Sequence, residues 1–99
     1  MMNIKCLKLV SGEELIGTFV EQSATHVTLS DVSAVMMMPT QTPGQISLGL
    51  MPFLPYSEQN KFEIARDKIV VMFEPNIDMI NNYNRKYGSG IQVVNSLKM

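Results

Sequence analysis

The side chains able to do covalent or metal chemistry are few, with one cysteine, Cys6, and one histidine, His26, in 99 residues. A zinc site needs three or four N, S or O ligands held together, and a single Cys with a single His does not supply them. Cys6 lies in the extended run Lys5-Cys6-Leu7-Lys8-Leu9-Val10, where a thiol packs as a small hydrophobe rather than acting as a nucleophile. Glu13-Glu14 follows a Ser-Gly turn, where solvated carboxylates are ordinary and no acid/base cleft is implied. Gly88-Ser89-Gly90 comes after a helical pattern and not before one, which fits a C-cap and not a phosphate loop. The sequence therefore predicts no enzyme, no catalytic residues, no metal and no cofactor.

Eight basic and nine acidic side chains give a formal net charge of −1, so there is no overall basic excess of the kind that drives nonspecific nucleic-acid binding. The pair Arg85-Lys86 is explained by favourable charge at a helix C-terminus. A composition that is 45% hydrophobic and 17% charged describes one small soluble domain with a modest core, for which a partner subunit would add useful burial. The lone cysteine leaves the chain without an internal disulfide. No apolar run approaches the roughly 18–20 residues needed to cross a bilayer, and Met1-Met2-Asn3-Ile4-Lys5 has no signal-peptide apolar segment. The expectation is a cytoplasmic protein.

The elements that must carry these residues read as strands. Lys5 to Val10 is one, broken by Ser11-Gly12 as a hairpin turn would break it. Glu14 to Glu21 is a second, and Gly17 in its middle marks a bend or a close backbone approach. Val27, Leu29 and Val35 to Met38 fit one long strand interrupted by a bulge within Asp31 to Ser33. Pro39 to Gln45 is a loop, Ile46 to Met51 resumes an extended pattern, and Phe62 with Ile64 begins another alternating piece after Pro52 and Pro55. Ala65 to Lys68 is a turn, and the five apolar residues Ile69 to Phe73 read as a strand buried on both faces at the centre of a sheet. One helix is expected over about 75–87, with Pro75 in its first turn, Asp78 near its positive end and Gly88 as its stop. Ile77, Met79, Ile80, Tyr83 and Tyr87 fall within an arc of about 160°, so this helix lies on an apolar surface. Ile91 to Val94 is a candidate terminal strand for an exposed sheet edge.

Short strands with Gly turns in fewer than a hundred residues point to a small barrel or a strongly bent sheet. Leu7-Lys8-Leu9-Val10-Ser11-Gly12-Glu13-Glu14-Leu15-Ile16-Gly17-Thr18-Phe19, continued by Val27, Leu29 and Asp31, resembles the first Sm motif. Phe62-Glu63-Ile64-Ala65-Arg66-Asp67-Lys68-Ile69-Val70-Val71-Met72 resembles the second. In wording closer still, Val10-Ser11-Gly12-Glu13-Glu14-Leu15-Ile16-Gly17 and Asn84-Arg85-Lys86-Tyr87-Gly88-Ser89-Gly90-Ile91 look like small Sm-like proteins carried by marine bacteriophages. The resemblance implies an all-β, five-stranded, strongly bent open barrel over about 4–73, with the C-terminal helix covering it in place of the N-terminal helix common in the family.

It also implies function. Sm-like barrels assemble edge to edge into closed rings, here expected to hold about five to seven copies, and such rings bind single-stranded nucleic acid around a pore, RNA in preference to DNA. The matching positions are Thr25 and His26 in the loop before the third strand, with His26 where the family usually has Asn, and Arg66 with Lys68 in the second motif, where Ala65-Arg66 stands for the usual Arg-Gly. His26 would stack on a base or bond its edge, while Arg66 and Lys68 would meet phosphate. The plainer alternative makes His26 an exposed turn residue and pairs Arg66 with Asp67 or Glu63. The methionines, with Met36-Met37-Met38 consecutive, either line an assembly surface or fill an irregular core. A ring acting as a protein-assembly module without nucleic acid is the competing function.

Overall fold

The structure, a computed structural model, describes residues 3–87. Along the chain run β1 (Ile4–Leu9), β2 (Glu14–Gln22), β3 (His26–Pro39), β4 (Ile46–Pro52), β5 (Lys61–Ala65), a 3-10 turn (Arg66–Lys68), β6 (Ile69–Phe73) and α1 (Ile77–Tyr87). The expected strand at Ile91 to Val94 lies outside the described residues. The protein is all-β apart from α1, and its strands form one antiparallel sheet in the order β4-β3-β2-β1-β6, with β5 added beside β3. Among the described residues the sheet holds six strands rather than five because β3, 14 residues long, pairs along one side with two partners. Its first part, His26 to Ser30, pairs with β5, and Ser33 to Pro39 pairs with β4.

Local sequence accounts for the curl. Gly12, at φ 99°, occupies a conformation that side chains rarely adopt, and it closes the β1–β2 hairpin with its N–H donating to the Leu9 carbonyl at 2.9 Å. Asp31, at φ 51°, is the bulge anticipated between Asp31 and Ser33. The β2–β3 register passes from Ile16↔Ser33 to Thr18↔Ser30, so two β3 residues oppose Gly17 alone and the sheet bends there. A Cβ on Gly17 would meet the Leu29 Cβ and the Ser30 carbonyl oxygen at 3.1 Å each, which is why this position lacks one.

Strand alternation divides the apolar residues between two clusters. Leu7, Leu15, Val27, Leu29 and Val32 fill the concave side, backed by Phe53, Phe62, Ile64, Ile69 and Met72. Ile4, Cys6 and Ile16 point the other way and would face water if α1 did not cover them with Met79 and Tyr83. Asn76 caps α1, its Oδ1 accepting the Met79 N–H at 2.9 Å, so Pro75 precedes the cap instead of lying in the first turn. Burial, reinforced by the Glu14 charge, pushes the Cys6 thiol up to about 11 and keeps it protonated at neutral pH.

Two regions differ from the simplest sequence expectation. Among the described residues β6 is an edge strand, hydrogen-bonded only to β1, and not the sheet's centre. Ile69 and Met72 turn toward the core while Val70, Val71 and Phe73 remain 63%, 47% and 40% exposed, because an apolar run specifies a strand but not its neighbours. Met36, Met37 and Met38 are also exposed, so they do not fill the core of the single chain. They lie on the arm that β3 and β4 form beyond the bend, with Leu48 and Met51 exposed on its other strand.

Candidate nucleic-acid interface

The candidate residues depend on how β2, β3 and β5 end. Gln22 pairs with Val27, and the residues between them make a tight turn in which the Ser23 N–H donates to the His26 carbonyl at 2.8 Å. The Ser23 hydroxyl oxygen accepts the backbone N–H groups of Thr25 and His26 at 3.2 and 3.1 Å, the local bonding that makes serine a turn residue. Thr25 Oγ1 then lies 2.8 Å from His26 Nδ1 and fixes the ring's orientation. Nε2 of His26 has no hydrogen-bond partner among the described residues.

On the other side of β3, His26 sits opposite Ala65, and this register delivers Arg66 to the same turn. The Arg66 N–H donates to the Thr25 carbonyl at 2.9 Å, and its Nη1 donates to Gln22 Oε1 at 2.7 Å. Thr25, His26 and Arg66, from the two separate sequence motifs, are thus brought together at one end of the sheet. Lys68 is exposed at the end of the 3-10 turn, tied to the β1–β2 hairpin by its carbonyl, which accepts the Val10 N–H at 2.8 Å. Its ammonium takes no part in the network at the turn.

Arg66 does not form the ion pair with Asp67 or Glu63 that the plainer alternative offered. The ion pairs among the described residues are Lys5–Glu74 at 2.9 Å and Lys8–Glu14 at 3.2 Å. Its guanidinium is exposed and held by a neutral amide, and it has no ion-pair partner among the described residues. Gln22 is the member of this group that sequence reasoning missed. Its place at the end of β2 is visible in the chain, but its meeting with Arg66 follows from the combined register of three strands.

A flat imidazole and a flat, charged guanidinium carried by the same turn can each stack on a planar group, and the guanidinium can donate hydrogen bonds to an anion. The surface beyond them is unlike. An open cavity of about 510 Å³ between β2, β3 and β5 is lined by Glu21 and Glu63, with Thr28 between them, and by Lys61, so its charge is mixed. Among the described residues no group of three His, Cys, Asp or Glu side chains is placed to hold a metal ion. No helix among them is long and apolar enough to cross a membrane.

No curated protein matches the chain. The family model described as "Family of unknown function (DUF6561)" matches residues 2–88, which takes in all six strands, the His26 turn, Arg66 and the helix. The chain belongs to this family of unknown function.

Proposed function

We propose that the protein is a ring-forming, Sm-like protein that binds single-stranded nucleic acid, RNA in preference to DNA, and serves in RNA or DNA processing in the cytoplasm of a phage-infected host. The observation that carries the reading is the convergence of Thr25, His26 and Arg66 on one turn, with Arg66 in no ion pair among the described residues. Arg66 binds phosphate and His26 stacks on or bonds a base, with Lys68 adding positive charge close by. One such set per protomer is weak, and closure into a ring of about five to seven copies multiplies it through effective concentration.

Ring closure is supported by the two margins that the sheet shows among the described residues. β6 ends one side and β5 lies on the other, and the exposed Val70, Val71 and Phe73 give the β6 margin an apolar surface suited to a neighbour. The test is fluorescence anisotropy of labelled oligo-U, oligo-A and single-stranded DNA at two salt concentrations, with the mass read by light scattering in the same buffer. Salt-sensitive binding by a ring supports the reading, and a ring that binds none of the three overturns it for these ligands.

A second reading, a ring that serves as a protein-assembly module without nucleic acid, draws on the exposed Met36, Met37, Met38, Leu48 and Met51 of the β3–β4 arm. Methionine surfaces of this kind adapt to varied apolar partners.

A further inference from the structure

Arginine side chains at protein surfaces are usually oriented by carboxylates, which hold the guanidinium but also cancel its charge. Arg66 is oriented differently. Its backbone N–H is fixed to the Thr25 carbonyl at 2.9 Å, and its Nη1 is fixed to Gln22 Oε1 at 2.7 Å. Because arginine has donors and no acceptor, the amide of Gln22 must present its oxygen here, which turns its own NH2 away from Arg66. The guanidinium is restrained by a neutral group and keeps its full charge and most of its donors for another partner. Gln22 adds two further N–H donors at the same place.

Resting on the reading of this turn as a nucleic-acid interface, we infer that Gln22 is a positioning residue that aims the Arg66 guanidinium at phosphate without neutralising it. The pairing Gln22↔Val27 at the last rung of β2 sets the distance, since Gln22 stands at the mouth of the turn that carries Thr25 and His26. The neutrality of Gln22 is the point of the arrangement. An acid at the same position would hold Arg66 at least as firmly, but as an internal ion pair.

The isosteric variant Gln22→Glu separates this role from a structural one. A purely structural brace is preserved or strengthened by Glu, so the melting midpoint stays or rises and oligonucleotide binding is unchanged. A residue that aims an uncompensated charge gives the opposite result in binding. Anisotropy with labelled oligo-U is expected to show affinity weakened about 5–10-fold by Gln22→Glu, with the slope of log K against log salt shallower by about 0.7 for each phosphate that Arg66 no longer neutralises. Gln22→Leu, which frees Arg66 but keeps its charge, is expected to weaken binding only about 2–3-fold and to keep the slope. Thermal melts of both variants confirm that the fold is retained. Wild-type affinity and slope in Gln22→Glu overturn this inference alone, whereas a wild-type protein that binds no oligonucleotide overturns the functional reading and this inference with it.

Discussion

The hydroxyl of Tyr83 on α1 donates to the carbonyl oxygen of Asp31 at 2.8 Å, so the helix is bonded to the residue at which β3 bends. Thr18 Oγ1 lies 2.9 Å from the same hydroxyl, and Tyr87 repeats the arrangement one turn later, 2.6 Å from Ser33 Oγ. At the bulge Tyr83 supplies a donor to the Asp31 carbonyl, and Tyr87 adds one to the Val32 carbonyl, which also accepts the Phe53 N–H, while both rings pack with Ile4, Cys6 and Ile16. Tyr83→Phe keeps the ring and removes the bonds. It should lower stability by about 1–2 kcal/mol in urea denaturation, and an unchanged midpoint would contradict the bonding role.

Alkaline pH acts on the same layer. Burial pushes the Tyr83 hydroxyl up to about 12 and the Cys6 thiol up to about 11, each above its ordinary value of 10.0 and 9.0. For both groups the folded state holds its proton longer than the unfolded state does. Their contribution is therefore complete below about pH 9 and is lost as pH rises through 11 and 12. Denaturation midpoints measured from pH 8 to pH 12 should fall in that window. Cys6→Ala and Tyr83→Phe should each flatten part of the fall, and an identical pH profile in both variants would refute the assignment.

Gly17 lies against β3 with no room for a side chain. Gly17→Ala places a Cβ 3.1 Å from both the Leu29 Cβ and the Ser30 carbonyl oxygen, and the backbone oxygen has little room to move. A loss of about 1–3 kcal/mol is expected by chemical denaturation. A neutral substitution would show that the sheet does not depend on this approach.

These features divide by the range of the signal that specifies them. Gly12, Gly17 and the Asp31 bulge are written in the strand patterns around them, and the apolar arc of α1 names the Met79 and Tyr83 face that the structure buries. The edge position of β6 is not legible in that way, because Ile69 to Phe73 states an apolar extended preference and says nothing of how many neighbours it gains. The candidate interface shows the same limit. His26 and Arg66 stand out singly, but Gln22 joins them only through the β2–β3 and β3–β5 registers together.

The assembly reading places the exposed β6 side chains against a neighbouring copy. Val71→Lys puts charge on that margin, at a site 47% exposed in the single chain, so the fold should survive while the ring does not. Light scattering should give the mass of about five to seven copies for the wild type and a smaller species for the variant. A wild-type monomer at micromolar concentration would refute the ring.

Nucleic-acid binding at the His26 turn is decided by titrating labelled oligo-U with wild-type protein and with the double variant His26→Ala, Arg66→Ala, reading anisotropy and mass in the same buffer. Salt-sensitive binding is expected of the wild type, with its loss, by about tenfold or more, in a variant that keeps the wild-type mass. Equal binding by both proteins would contradict the assignment of the interface to this turn.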